Sequence, residues 1–155
     1  LVPIIKKLSP SSNPLISKVG NTLRLTIYSK QFYSLIIERF QLPKGKKALT
    51  VTIPSEIIMT NNKKLINACI RGIFNSDGSV FFDKRKIYKT PYQRIDLHIQ
   101  SKELLRNIHE ILLKQGIKST ITRNHTKIQI NGKNCLEFLK KIGFSNLRHL
   151  NKIKQ

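Results

Sequence analysis

The segment Leu65–Gly78 constrains the fold more than any other part of the chain, because its apolar residues recur at every fourth position. They fall in two adjacent series: Leu65, Cys69, Ile73 and Ile66, Ile70, Phe74. Residues four apart lie on one side of an α-helix, one turn above each other. The spacing therefore predicts a helix from about Asn62 to Ser76 with one broad apolar face.

A second stripe on this predicted helix consists of small residues. It is made of Ala68, Gly72 and Ser76. Small side chains allow another backbone to approach closely, and close packing would offset the roughly 1 kcal/mol that glycine costs in mid-helix relative to alanine. We therefore predict a helix–helix interface along this stripe, bordered by Ile66, Ile70 and Ile73.

Asp77 stands at the predicted end of the helix, just before Gly78, a typical residue for the position past a helix end. A carboxylate in the last turn meets the negative end of the helix dipole, which disfavours it. A residue placed against a local rule is a candidate functional residue. The alternative is a structural aspartate, because Asp-Gly is a common turn pair.

The net charge of the chain restricts its partners. Lysine and arginine total 29 against 8 acidic residues, which gives +21 at pH 7. So strong a field favours a polyanion, with nucleic acid as the first expectation and an anionic membrane surface as the second. The sequence has no apolar run near the ~20 residues of a membrane span and no visible signal peptide. Of the two partners we expect nucleic acid rather than a membrane, and we expect an intracellular location.

The cysteines and histidines show no metal-ligand spacing. Cys69 and Cys135 lie in apolar helical patterns, so we expect buried, reduced thiols rather than a disulfide. The histidines are His98, His109, His125 and His149. Their scatter along the sequence favours surface or groove-lining positions.

Several segments alternate polar and apolar residues, which is the period of a half-buried strand. In one of them, Leu23, Leu25 and Ile27 are predicted to face a core. The polar residues of the predicted strands form the opposite face: Arg24, Thr26, Tyr28, Asp83, Arg85, Arg94, Asp96, His98, Lys118, Thr120, Thr122, Lys127 and Gln129. Phe81 has the same parity as Asp83, and contact with a base or core packing would both suit it.

This polar face suggests contact with duplex DNA. A two-stranded ribbon fits the major groove of B-DNA. For each strand taken singly, a merely solvated face explains the pattern equally well. Several such strands in one chain of +21 favour a DNA-binding surface.

A family resemblance is carried by the segment Ile70–Gly78, which reads Ile-Arg-Gly-Ile-Phe-Asn-Ser-Asp-Gly. It resembles the motif of the LAGLIDADG homing endonucleases, in a variant close to Leu-Arg-Gly-Leu-Phe-Asp-x-Asp-Gly. The segments Gln41–Lys47, Val51–Pro54 and Ile142–Asn146 also look like the family, in an order familiar from archaeal, intein-borne and organellar members. Asn75 replaces the first acidic residue of the motif, a departure to which we attach little weight, whereas the second, Asp77, is present.

The resemblance implies an α+β fold whose unit runs αββαββα, with antiparallel strands that form a saddle over DNA. A weak internal repeat, in which the pattern of residues 23–47 returns in 127–149, agrees with two such units. From the pattern alone, two unrelated hairpin–helix pieces are the alternative. We predict that residues 1–60 form a partial first unit (hairpin, helix, basic turn and connector) and residues 61–155 a complete second unit.

The resemblance also implies an activity. Family members cut both strands of duplex DNA at a long target site, leave 3′ overhangs, and work with two motif helices paired. The second unit here would be an N-terminal segment or another copy of the chain. The alternative is a non-cleaving nucleic-acid binder, either an RNA maturase or a decayed endonuclease.

The family's site residues carry over to a few positions of this chain. Asp77 would bind Mg²⁺ or another divalent cation. A lysine that orders water near the metal falls at Lys46 and, with a change of residue type, at Arg148. A polar residue at the end of a strand falls at Gln100, or at Ser101 if the alignment shifts by one.

The charge predicts steeply salt-dependent DNA binding. Each phosphate contact releases about 0.9 counterion, so the log–log slope of the association constant against salt should be about −5 or steeper. The measurement is the affinity for duplex DNA from low to moderate salt. A flat dependence would remove the interpretation of the basic strand faces as a DNA surface.

Overall fold

The computed structural model describes residues 2–84 and 92–153. The chain forms two compact units, Leu1–Lys44 and Gly45–Gln155. This boundary lies before the limit at residue 60 that the repeat pattern suggested. The assignment of the first unit as part of a repeat stays a prediction.

The described part of the first unit contains two α-helices, a π-helical segment and a hairpin. Its elements in chain order are α1 (Val2–Leu8), β1 (Leu15–Val19), β2 (Thr22–Thr26), α2 (Lys30–Ser34) and a π-helical segment (Leu35–Arg39). β1 and β2 pair antiparallel on either side of a turn at Gly20, which takes φ +57°. The predicted burial of Leu23 is wrong, since this residue is 76% exposed. A two-stranded hairpin covers little of either of its own faces.

The second unit has the predicted αββαββα order, flanked by one further helix on each side. Its elements are α3 (Ser55–Met59), α4 (Lys63–Asp77), β3 (Gly78–Asp83), β4 (Tyr92–His98), α5 (Lys102–Lys114), β5 (Thr120–Ile121), β6 (Lys127–Asn131), α6 (Lys133–Lys141) and α7 (Leu147–Ile153). The four strands are antiparallel in the order β3-β4-β6-β5. The α+β class is therefore confirmed.

The strand predicted to carry Lys118, Thr120 and Thr122 is shorter than expected. Only Thr120–Ile121 is extended and paired with β6. The backbone N–H of Lys118 donates instead to the Asn134 side-chain oxygen at 3.1 Å, which takes this residue out of the ladder. Thr122 lies just beyond the strand.

The helix α4 agrees with its predicted bounds to within one residue at each end. Asn62 is its N-cap, and the Asn62 side-chain oxygen accepts from the backbone N–H groups of Lys64 and Leu65. Gly78 follows Asp77 directly, at the predicted position just past the helix end, and opens β3 in an extended conformation with φ −80°. Glycine is required at this position, because a Cβ there would lie 2.3 Å from the Phe74 carbonyl oxygen.

One face of the sheet and the helices form the core of the second unit. The sheet contributes every second residue along its strands, and these residues are fully buried: Val80, Ile95, Leu97, Ile128 and Ile130. Phe74 of α4 and Phe138 of α6 meet above them with ring centroids 4.6 Å apart. The series Ile66, Ile70 and Phe74 thus lies on the side of α4 that packs inward, whereas Leu65 of the other series is 40% exposed.

A polar stripe on α4 holds the end of α6. The side-chain nitrogen of Asn67 donates to the Lys141 carbonyl at 2.8 Å, and Arg71 Nε donates to the Ile142 carbonyl at 2.6 Å. Carbonyls at the end of a helix have no partner within it. The stripe therefore satisfies these groups while it aligns the two helices.

Asn75, the next residue of this stripe, fixes the turn before α7. Its Oδ1 accepts from the backbone N–H groups of Ser145 at 3.1 Å and Asn146 at 3.2 Å. Its Nδ2 donates to Ser145 Oγ at 2.7 Å, and its carbonyl accepts from Asn146 Nδ2 at 3.1 Å. The residue that departs from the family motif is therefore a structural anchor of this turn.

His149 of α7 is buried, so its predicted surface position is wrong. It is 5% exposed, and its ring centroid lies 4.7 Å from that of Phe144. Burial lowers the pKa of His149, because the charged imidazolium would lose its hydration. The helix α7 is thus attached through a neutral aromatic contact as well as through Asn75.

Substitution of Asn75 should separate its acceptor role from its size. Asn75→Ala removes all the side-chain bonds to the turn and should lower the free energy of unfolding by about 1–3 kcal/mol. Asn75→Asp keeps an acceptor for both backbone N–H groups and lets the Ser145 hydroxyl donate, so it should cost clearly less. Denaturant unfolding of both variants measures this. Equal losses would show that the acceptor bonds do not stabilise the turn.

Candidate functional site

The open face of the sheet is the one opposite the core. On every strand it carries the residues that alternate with those facing the core: Ser79, Phe81 and Asp83 of β3, Arg94, Asp96 and His98 of β4, Lys127 and Gln129 of β6, and Thr120 of β5. The register aligns Ser79, Asp96, Gln129 and Thr120 in one row across all four strands. The structure thus brings together most of the polar strand residues identified in the sequence.

Two ion pairs organise the charges on this face. Arg94 lies 3.1 Å from Asp83, and Lys127 lies 2.5 Å from Asp96. Asp96 is only 2% exposed, so it does not project freely as the strand alternation suggested. Phe81 is 37% exposed and lies opposite Arg94 in the register, on the open side rather than in the core.

The remaining predicted DNA contacts lie elsewhere. Arg24 and Thr26 belong to β2 of the first unit, and Tyr28, beyond that strand, is 79% exposed. Arg85 lies outside the described residues. In the described part of the chain, no helix is long and apolar enough to cross a membrane.

A cleft of about 690 Å³ lies at the end of α4 in the second unit. Three residues predicted to act in catalysis line it, namely Lys46, Asp77 and Gln100. His98 of the open face also lines it, while Val51, Ile99 and Leu104 form part of its apolar wall. Arg148 is exposed on α7 and is not among the lining residues, so the structure gives no support to its predicted catalytic role.

Asp77 is held by the junction of α4 and β3. It is exposed, and the next residue, Gly78, pairs with Leu97 of β4. Because helix and strand meet with no loop, the backbone position from which the Asp77 side chain extends is fixed at the end of α4. His98 follows Leu97, which brings it to the same end of the β3–β4 ladder.

Gln100 is held by the junction of β4 and α5. The adjacent Ser101 is fully buried and is the N-cap of α5, since its Oγ accepts from the Leu104 N–H at 3.2 Å. The same hydroxyl donates to the Val51 carbonyl at 2.7 Å. Ser101 is therefore a structural residue, and of the two alternatives for the polar strand-end position, Gln100 alone reaches the cleft.

The bond from Ser101 to Val51 also positions Lys46. Val51 closes a turn in which its N–H donates to the Lys47 carbonyl at 2.9 Å. The segment that carries Lys46 is thus attached to the segment that carries Gln100. The hydrogen bond between Ser101 and Val51 could not be predicted from the sequence, because it joins residues fifty positions apart.

The cleft has one carboxylate among two lysines. Asp77 faces the negative end of the α4 dipole, so a bound cation would relieve an unfavourable interaction. Asp77 and Gln100 offer the hard oxygen atoms that Mg²⁺ prefers, and protein sites for this ion commonly use one or two carboxylates plus phosphate. Across residues 2–84 and 92–153, no three His, Cys, Asp or Glu side chains form a metal-binding group. The residues fit an ion that is completed by other ligands.

The stripe of small residues on α4 is exposed. Ala68, Gly72 and Ser76 lie on the side opposite Ile70 and Phe74, and a Cβ added at Gly72 would meet nothing within 4 Å. The prediction that Ile70 borders this stripe is wrong, because Ile70 is fully buried in the core of its own unit. Ile66 and Ile73 are partly buried against that same core.

Comparison with known proteins agrees with this architecture. A family model described as a LAGLIDADG-like domain matches residues 64–143, more than half of the 155-residue chain. The chain therefore belongs to the LAGLIDADG family. Membership implies DNA binding and pairing with a second domain or copy. A search of curated proteins found no match.

Substitution at Gly72 should separate pairing from folding. A Cβ at Gly72 would meet nothing within 4 Å, and Gly72→Leu should raise helix stability, because glycine is the poorer helix former. It should nevertheless weaken association at least about tenfold, since extra side-chain volume forces two packed backbones apart. Sedimentation equilibrium and thermal unfolding measure the two effects.

Gly72→Ala is the matched control, because alanine belongs to the stripe of small residues. It should raise thermal stability and largely preserve association. A chain that stays monomeric at every concentration, and is unchanged by Gly72→Leu, would contradict pairing of two copies through this surface.

Proposed function

We propose that this chain is a site-specific endonuclease of duplex DNA, a homing endonuclease that hydrolyses phosphodiester bonds with Mg²⁺ or another divalent cation and leaves 3′ overhangs. It acts when α4 is paired with the motif helix of a second unit, either another copy or an N-terminal segment. The observation that carries the proposal is the shared cleft. Lys46, Asp77 and Gln100 come from three separate parts of the sequence and line the same cleft.

The residues of the cleft have distinct roles in this proposal. Asp77 holds the divalent cation, with the Gln100 amide oxygen as a second candidate donor. When bound, the cation lowers the pKa of a water molecule and stabilises developing charge on the phosphate. The Lys46 ammonium attracts the phosphate and donates hydrogen bonds that orient water. His98 lines the same cleft and is available to contact the phosphate or its water.

The open face of the sheet provides the DNA contacts in this proposal. Lys127, Arg94 and His98 offer donors, and Gln129 and Thr120 offer both donors and acceptors. Phe81 provides an apolar surface for a thymine methyl group. The first unit contributes Arg24, Thr26 and Tyr28, while Lys118 and Thr122 extend the contact zone beside β5.

A non-cleaving nucleic-acid binder is the second candidate. It is favoured by the single carboxylate in the cleft, since Asp77 is the only acidic residue among the lining residues. A paired unit would have to complete the site. Metal-dependent nicking of plasmid DNA by the assembled protein separates the two functions, because a maturase or a decayed endonuclease binds without cutting.

Substitution of Asp77 tests the catalytic assignment. Asp77→Asn preserves size, and the phosphate contacts lie elsewhere, so fold and DNA affinity should persist. Cleavage by the paired assembly should fall by roughly a thousandfold or more, because a lost metal ligand removes several kcal/mol of transition-state stabilisation. Binding and cleavage are measured on the same DNA with Mg²⁺ and with Ca²⁺.

Glu103→Gln is the control, since it removes an exposed carboxylate that does not line the cleft. It should leave cleavage unchanged. If Asp77→Asn cuts normally, or loses binding and cleavage together, Asp77 is a structural residue and the proposed cleft is not the catalytic site.

A further inference from the structure

Asp96 occupies an unexpected position for a residue on a DNA-binding face. It lies on the central strand β4, and its side chain is 3% exposed. Its two oxygens have different partners: Oδ2 lies 2.5 Å from Lys127 Nζ, and Oδ1 accepts from Gln129 Nε2 at 3.4 Å. A carboxylate so buried is stable only with such partners. Asp96 therefore organises its neighbours rather than facing DNA itself.

The contact with Asp96 restricts the amide of Gln129 to one orientation. A carboxylate that is paired with an ammonium accepts hydrogen bonds and donates none. The NH₂ group of Gln129 must then turn toward Asp96, and its Oε1 turns away. This oxygen has no protein partner in the described part of the chain. Gln129 consequently presents a fixed acceptor to the open face.

A fixed acceptor distinguishes bases by their major-groove edges. Adenine and cytosine carry an amino group there, whereas guanine and thymine offer only acceptors as hydrogen-bonding groups. The Oε1 of Gln129 can accept from the amino bases, and its second N–H can also donate to N7 of adenine. A glutamine that was free to turn could offer its NH₂ group to guanine or thymine instead.

We propose that Asp96 is a positioning residue that fixes Gln129, so that this face selects a base with a major-groove amino group, adenine or cytosine, at one position of the target. The inference rests on the proposed function, because it requires that the open face enters the major groove. Lys127 supports the arrangement by neutralising the second oxygen of Asp96.

Selection from a randomised duplex DNA pool by the full chain, with sequencing of the bound fraction, tests this inference. The unmodified protein should enrich adenine or cytosine roughly tenfold at one position, which is the discrimination expected of a good base contact. Gln129→Met keeps the length of the side chain without its amide. It should abolish the preference at that position only, which identifies the base pair that Gln129 contacts.

Asp96→Asn provides the decisive comparison. An asparagine amide can donate as well as accept, so Gln129 becomes free to turn. The preference at the Gln129 position should fall to about twofold or less, while other positions keep theirs. A residue that acted only on stability would not change one position selectively. Thermal unfolding of each variant measures its stability separately from its base preference.

Asp83→Asn is the matched control, since Asp83 is the other ion-paired carboxylate on this face. It should leave the preference at the Gln129 position unchanged. If Asp96→Asn does not fold, Asp96→Ser asks the same question, because a hydroxyl also donates and accepts. Asp96→Ser should relax the preference in the same way.

The outcomes separate this inference from the proposed function. If the unmodified chain does not bind duplex DNA, the proposed function fails together with the inference. If it enriches a sequence but neither Asp96 variant relaxes the Gln129 position, the inference alone is overturned. Equal relaxation at all positions, or by Asp83→Asn as much as by Asp96→Asn, also overturns it.

Discussion

The packing of Phe74 against Phe138, with ring centroids 4.6 Å apart, fixes α4 on the core of the second unit. The polar stripe that begins at Asn67 ties the next side of the helix to the end of α6. Because these two sides of α4 contact the rest of the unit, the stripe of small residues around Gly72 is exposed. The same packing also fixes the backbone position of Asp77, because no loop separates α4 from β3.

The cleft depends on two junctions that meet at one end of the sheet. Asp77 is the last residue of α4. Gln100 lies between Ile99, whose N–H donates to the Thr126 carbonyl at 2.9 Å, and Ser101, the N-cap of α5. Lys46 lies on an irregular segment, which is restrained by the bond from Ser101 to the Val51 carbonyl. A buried hydroxyl with two partners thus joins the segment that follows Lys46 to the start of α5, next to Gln100.

The charge of the open face is moderated by its own acids. The chain has 8 acidic residues in all, and Asp83 and Asp96 lie on this face as partners of Arg94 and Lys127. An entirely basic face would bind any phosphate backbone, whereas base contacts need side chains held in defined orientations. Ion pairs on the sheet are one way to hold them, at the cost of free positive charge.

The sequence by itself determined the helix α4, the order of elements that follows it, the parity of the strands and the prominence of Asp77. These depend on local periodicity or on a short contiguous motif, both of which can be read along the chain. Tertiary structure decided which polar residues are free to act. The burial of Asp96 depends on pairing of β4 with β6, the role of Asn75 on a turn seventy positions away, and the buried position of His149 on the docking of α7. Sequence periodicity specifies the face on which a side chain lies, but its partners come from distant segments that only the folded chain brings into contact.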